Sequence, residues 1–124
     1  MTQKSQIGKL GEDIACEYLV KNGYKIIDRN FRRPWGELDI VAKYRDGTLV
    51  FVEVKAMRKN SSLNPEDNLT KSKLEKVKRT ASLYAGSFEN LVMESKGWRV
   101  DLVAITLPES LEGKDSKLRH FENI

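Results

Sequence analysis

Hydrophobic and polar positions change period several times along the chain. From Ile7 to Lys21 the apolar residues Ile7, Leu10, Ile14 and Tyr18 recur at helical spacing, with Gly8, Gly11, Ala15 and Leu19 widening the stripe and Lys9, Asp13 and Glu17 on the wet side. Asn22-Gly23 is a stop signal for that helix. Tyr24 to Phe31 then reads as a strand centred on Ile26 and Ile27, and Pro34-Trp35-Gly36 marks a bend into a second strand. Lys59 to Asn68 is polar and contains Pro65, so it reads as a loop open to substrate. Thr70 caps a second helix running to about Ala85, with Leu74, Val77, Ala81 and Tyr84 as its core stripe. Ser87 to Gly97 has no decisive pattern. Trp98 to Leu107 reads as a buried strand ended by Pro108, and Gly113-Lys114-Asp115-Ser116 as a turn before a short final segment.

Between the two helices, Gly36-Glu37-Leu38-Asp39-Ile40-Val41 and Val50-Phe51-Val52-Glu53-Val54-Lys55 flank Arg45-Asp46-Gly47. These are hairpin strands with acids set among β-branched residues, where acids are uncommon. If Tyr44 and Thr48 close a three-residue loop, Gly47 takes the position requiring positive φ. Asp39 then lies opposite Glu53 and Glu37 opposite Lys55, all on one face, while Leu38, Ile40 and Ala42 oppose Val50, Val52 and Val54 on an apolar face. A two-residue Asp46-Gly47 loop would shift the register by one and separate Asp39 from Glu53. The first register segregates charge from core and is preferred.

Carboxylates directly across a strand pair have β-carbons about 5 Å apart. At an effective dielectric near 20 they repel by roughly 3 kcal/mol. A hard cation such as Mg²⁺ or Mn²⁺ offsets that repulsion, with oxygen ligands at about 2.1 Å and waters that a substrate phosphate can displace. Asp39 and Glu53 are therefore expected metal ligands, with the Val54 carbonyl as a further one, and Lys55 orients water or stabilises developing negative charge. The competing reading is a salt-bridged sheet surface, in which Glu37 pairs with Lys55 and Asp39 is solvated. Glu12 falls at the edge of the first helix's buried side. On pattern alone it is an ordinary first-turn acid favoured by the helix dipole.

Gly8-Lys9-Leu10-Gly11-Glu12-Asp13-Ile14-Ala15, Gly23-Tyr24, Asn30-Phe31-Arg32, Gly36-Glu37-Leu38-Asp39, Val50 to Lys55, and Arg99-Val100-Asp101-Leu102-Val103-Ala104-Ile105, in this order and spacing, resemble the bacterial YraN-like family. That family is similar to restriction endonucleases and archaeal Holliday-junction resolvases. The resemblance implies an α/β, restriction-endonuclease-like fold: a mixed central sheet flanked by helices, with an α-β-β-β-α-β core and a PD-(D/E)xK nuclease site. Matched position by position, Asp39, Glu53 and Lys55 form the signature and Glu12 is the acid contributed by the first helix, so the catalytic set implied is Glu12, Asp39, Glu53 and Lys55. The chain departs from the family at Met57, where a basic residue is usual and Arg58 follows, and in Asn60-Ser61-Ser62-Leu63-Asn64-Pro65, where a glycine is usual.

At 124 residues the chain suits one restriction-endonuclease-like domain, 1–124. Hydrophobic content of 40% and charged content of 32% describe a soluble globular protein. No apolar run or signal-peptide core is present, so no membrane association and a cytoplasmic location are expected. Cys16 is the only cysteine, which excludes an internal disulfide and a cysteine zinc cluster.

Net charge is +4. Arg32, Arg33, Lys55, Arg58 and Lys59 flank the acidic hairpin, and Lys71, Lys73, Lys76, Lys78 and Arg79 crowd the second helix. Cations around an acidic pocket suit a phosphate polymer, although a charged helix face is often only a solvated one. Arg32, Arg33, Arg58 and Lys73 are the expected nucleic-acid contacts. Lys73 is chosen because the family resemblance places a lysine near the start of this helix.

Trp35 and Trp98 could stack on bases, but a tryptophan beside a strand is more often core. His120 is the sole histidine and is expected to pack rather than catalyse. Asp101 is expected in a hydrogen bond or salt bridge at the sheet edge. Serine and cysteine nucleophiles lack a base partner, and no phosphate-cradling glycine loop occurs. The expectation is thus a Mg²⁺- or Mn²⁺-dependent nuclease on DNA, branched or structured DNA included. A homodimer would favour the junction reading, since resolvases of this fold act as dimers on two-fold junctions. The alternatives are a nucleic-acid-binding module with little cleavage activity and an interaction protein with a vestigial pocket.

Overall fold

The structure, a computed structural model, describes residues 3–59, 64–108 and 116–124. Helix α1 spans Gln3–Lys21, strands β1, β2 and β3 span Tyr24–Arg33, Gly36–Tyr44 and Leu49–Arg58, helix α2 spans Lys71–Ser87, and strands β4 and β5 span Trp98–Leu107 and Lys117–Phe121. Short 3-10 turns lie at Pro65–Asn68 and Glu89–Leu91. The strands form one five-stranded sheet in the order β1-β2-β3-β4-β5. All neighbours are antiparallel except β3 and β4, which run parallel because α2 carries the chain back between them. This mixed α/β arrangement is consistent with the restriction-endonuclease-like fold, extended by β5.

Two apolar layers hold the helices to opposite faces. Ala15 and Leu19 of α1 pack on Ile40, Ala42, Val50, Val52, Val103 and Ile105. Val77, Ala81, Tyr84 and Ala85 of α2 pack on Phe31, Leu38, Val41, Phe51 and Val100. The α1 stripe is centred on Gly11, Ala15 and Leu19, while Ile7, Leu10, Ile14 and Tyr18 are only half-buried. Small residues win the centre because α1 lies so close to β3: a Cβ on Gly11 would come within 2.6 Å of the Ala56 Cβ. Since α1 begins at Gln3, Glu12 sits in mid-helix, and the first-turn reading of this acid does not hold. Thr70 caps α2 as expected, accepting the Lys73 N–H at 3.2 Å.

The three-residue hairpin loop is also observed. The Tyr44 N–H donates to Thr48 O at 2.9 Å, the Gly47 N–H donates to Tyr44 O at 2.8 Å, and Gly47 has φ +97°. Residues Ile40, Val41, Ala42 and Lys43 pair with Val52, Phe51, Val50 and Leu49, the register that directs Asp39 toward Glu53. One part of the expected apolar face is corrected. Ile40 and Ala42 join the α1 layer, but Leu38 joins the α2 layer. Alternation breaks at Asp39, where pairing with β3 stops, and the register of β1 with β2 puts Asn30, with φ +52°, opposite it. The left-handed residue turns the strand, and asparagine tolerates that conformation.

β4 is not the edge strand, because β5 covers it. Asp101 is fully buried, accepting hydrogen bonds from Arg99 Nε at 2.9 Å and the Asn123 N–H at 2.9 Å, with His120 Nε2 at 2.8 Å. The other nitrogen of His120 meets the Tyr18 hydroxyl at 2.8 Å, so this histidine packs between α1 and the sheet. Burial pushes the Asp101 carboxyl up, but His120, Arg99 and the Asn123 N–H more than offset it and leave it below the usual carboxylate range.

Candidate active site

The site forms where β2 and β3 part. Beyond Ile40 and Val52 the strands diverge, and the Val54 N–H donates to Asp39 Oδ2 at 2.9 Å. The charge of Asp39 acts on the Glu53 carboxyl, and Lys55 Nζ lies 3.4 Å from Glu53 Oε1. The Glu53 side chain is 13% exposed and that of Lys55 24%. Burial and the Asp39 charge push the Glu53 carboxyl up to about 8, against the pull of Lys55. Burial raises Asp39 as well, opposed by the Val54 N–H and Lys55. Without a cation, the pair relieves its repulsion by keeping a proton.

Glu12 lies on α1 and lines a separate cleft with Arg29, Asn30 and Arg32. Burial, then the charge of Asp39, raise its carboxyl above the ordinary value. With its amide nitrogen turned toward the carboxylate, as hydrogen bonding requires, Asn30 donates to Glu12 at 2.9 and 3.2 Å. Among the described residues no three histidine, cysteine or acidic side chains gather as a ready ligand cluster. The protein donors at the centre are therefore the Asp39 and Glu53 carboxylates, with the Val54 carbonyl on the same stretch of β3. That set fits Mg²⁺, which commonly takes one or two carboxylates and completes its shell with waters and substrate phosphate.

Cations line the approach. A cleft of about 340 Å³ between the sheet and α2 is bounded by Glu37, Glu53, Lys55, Lys73, Lys76 and Arg79. A larger one, about 710 Å³, is bounded by Lys55, Arg58 and Lys73 together with Ile7 and Gly8 of α1. Lys55 and Lys73 belong to both and stand between them. Arg58 Nε is buried without a hydrogen-bond partner among the described residues. Arg32 pairs with Glu37, its cross-strand partner, and lines a third cleft with Glu12 and Asn30. Glu37 is thus committed to Arg32, and Lys55 to Glu53. Arg33 lies 4.3 Å over the Phe31 ring and donates to the Arg32 carbonyl. Lys71 and Lys78 line neither α2 cleft. Residues 60–62 of the expected substrate loop, with Leu63, lie outside the described residues.

Two kinds of residue take places here that sequence pattern does not assign. Asn30 holds Glu12 and turns β1; its signal was an asparagine inside a strand, where a left-handed residue is tolerated. Trp35 and Trp98, expected in the core, are 43% and 37% exposed. Trp98 keeps one edge on Phe51, with ring centroids 5.6 Å apart, but Trp35 sits at the tip of the β1–β2 turn and lines the smaller cleft.

The five-stranded mixed sheet with a helix on each face is consistent with a restriction-endonuclease-like α/β protein. The chain belongs to UPF0102, the YraN family: the profile of uncharacterised protein family UPF0102 matches residues 11–105. It is 39% identical over 118 residues to a UPF0102 protein of Syntrophomonas wolfei, covering 95% of this chain and 96% of that one. A UPF0102 protein of Renibacterium salmoninarum is 35% identical over 127 aligned positions, covering 100% and 99% of the two chains. A third, from Trichlorobacter lovleyi, is 38% identical, covering 94% and 87%. No helix among the described residues is long and apolar enough to cross a membrane.

Proposed function

We propose that the protein is a nuclease of the PD-(D/E)xK type that hydrolyses phosphodiester bonds in DNA with Mg²⁺ or Mn²⁺. The observation that carries this reading is the Glu53 carboxyl, in contact with Lys55 and acted on by the charge of Asp39, on the wall of a cation-lined cleft. Asp39 and Glu53 would hold the ion, with the Val54 carbonyl as an additional donor. The ion supplies an acidified water and neutralises charge at the phosphate.

The chain's own residues do the rest. The Val54 N–H fixes the Asp39 carboxylate, so its position does not depend on a flexible rotamer. Lys55, held by Glu53 and largely shielded from water, orients the attacking water or stabilises charge on the phosphate oxygens. Lys73, Lys76 and Arg79 bind the strand's phosphates, and Arg58 adds a cation to the wall of the larger cleft. Asn30 positions Glu12, whose carboxyl is raised by burial and by the charge of Asp39.

The test is cleavage of linear, nicked, flapped and four-way DNA with Mg²⁺ or Mn²⁺. Cleavage that vanishes in Asp39→Ala and Lys55→Ala supports the nuclease. Binding that persists without cleavage under either metal replaces it with a nucleic-acid-binding module.

A further inference from the structure

We propose that the smaller cleft takes an unpaired nucleotide of DNA, with its base stacked on Trp35 and its phosphate held by the α2 cations. The inference rests on the nuclease reading for the identity of the polymer and narrows it to DNA with a single-stranded segment beside the cleavable bond.

Trp35 is the second residue of a two-residue turn, between Arg33 and Gly36, which are paired across the hairpin. A tryptophan at such a tip has no place in the strand's alternation, and 43% of it remains exposed. It is nevertheless held in place. Its ring centroid lies 5.9 Å from that of Phe31, which is itself buried against α2 and covered by Arg33. Pro34 restricts the backbone on one side. On the other, Gly36 passes so close to α2 that any Cβ would overlap the Thr80 side chain. The indole is thus a rigid aromatic surface and not a loose rim residue.

Its surroundings identify the occupant. Trp35 shares the cleft with Glu53 and Lys55 of the site and with Lys73, Lys76 and Arg79 of α2. Of the other exposed aromatics among the described residues, Phe88 and Trp98 lie by the far, C-terminal end of α2 and Phe121 lies on β5 at the opposite edge of the sheet, so Trp35 is not part of an apolar patch suited to a protein partner. An isolated aromatic face flanked by cations matches the way proteins hold single strands, by stacking bases while lysine and arginine track phosphates. A base inside a duplex keeps both π-faces against its neighbours, so only an unpaired or extruded base can use this surface. Lys55 bounds the cleft and also contacts Glu53, which places the stacked nucleotide next to the reacting phosphate.

The test uses the full chain with Trp98→Phe, leaving Trp35 as the only indole, in EDTA so that nothing is cut. Titration with a single-stranded oligonucleotide should quench Trp35 emission, and a blunt duplex of the same length should leave it nearly unchanged. Trp35→Ala should weaken binding of single-stranded and flapped DNA about tenfold, with less than about a twofold effect on blunt duplex. Trp35→Phe, which keeps a ring on Phe31, should restore most of the affinity and guards against misfolding as the cause. Equal losses on both DNAs, or none, overturn the proposal, as does the absence of binding to either. Quenching by single strands in a protein that cuts no DNA with Mg²⁺ or Mn²⁺ overturns the nuclease reading and leaves this one standing. Metal-dependent cleavage with unaltered binding by Trp35→Ala does the reverse.

Discussion

Asp39 Oδ2 accepts the Val54 N–H, taking a donor that the backbone of β2 no longer reaches. Counting along the ladder from the bonded pair Tyr44 and Thr48, a continued hairpin would give that N–H to the Leu38 carbonyl. Leu38 has instead turned into the α2 layer, and a side chain completes the bond. One residue therefore ends the sheet pairing and supplies half of the acidic pair. Asp39→Asn, which keeps an acceptor for Val54, should fold with stability within about 1 kcal/mol of wild type. It should also abolish Mn²⁺ binding by calorimetry and cleavage in the DNA assay.

The acidic pair gives the metal-free protein a defined pH dependence. Glu53 titrates at about 8 in the folded chain, against 4.5 unperturbed, so the folded state keeps a proton that the unfolded chain has lost. Between those values stability falls as pH rises, by up to about 1.4 kcal/mol per pH unit, and the raised Asp39 acts in the same direction. Urea midpoints measured in EDTA should drop from about pH 5 to about pH 8. Glu53→Gln should flatten that drop, and saturating Mn²⁺ should reverse it in the wild type by binding the ionised pair. A wild-type midpoint that rises across this range contradicts the assignment.

Asn30 combines a backbone role with a side-chain one, and two substitutions separate them. Asn30→Leu forces a branched residue into the left-handed region and should cost about 1–2 kcal/mol. Asn30→Gly suits the backbone but drops the bond to Glu12. Its unfolding midpoint should stay close to wild type while cleavage falls at least about tenfold, the cost of a loosened site residue.

The α2 cations divide by geometry. Lys73→Ala and Lys76→Ala should each weaken duplex binding across all sequences. Each should also flatten the slope of log affinity against log salt by about 0.9 for every phosphate that is no longer neutralised. Lys78→Ala, outside both clefts, should leave affinity and slope unchanged. Filter binding at several salt concentrations reads both quantities.

Asp101 concerns stability and not chemistry. Asp101→Ala leaves Arg99 and His120 without their shared partner in a buried setting and should cost about 3–5 kcal/mol in urea unfolding. Because the Asp101 carboxyl is held below its ordinary value, its contribution is present above the unfolded value of 3.8 and is lost as pH falls through the lower folded one. Acid unfolding of the alanine variant should accordingly lack that component.

Local pattern was enough for the helices, the Trp98 to Leu107 strand and the hairpin register that directs Asp39 toward Glu53. Each follows from short-range rules: helical or twofold periodicity, a cap at Thr70, and a loop whose Gly47 needs positive φ. The same rules put Leu38 with Ile40 and Trp35 in the core, and both placements failed at the β1–β2 tip. There the chain departs from regular pairing, and helix packing decides the outcome. Close approach at Gly11 and Gly36 sets how α1 and α2 sit on the sheet, and hence where Glu12 faces and which of five α2 cations reach the cleft. Contacts between residues tens of positions apart leave no periodic trace in a chain, because they depend on which small residue lets two backbones touch. A strand's own alternation says which way a side chain starts out, but only the packed neighbours say where it ends.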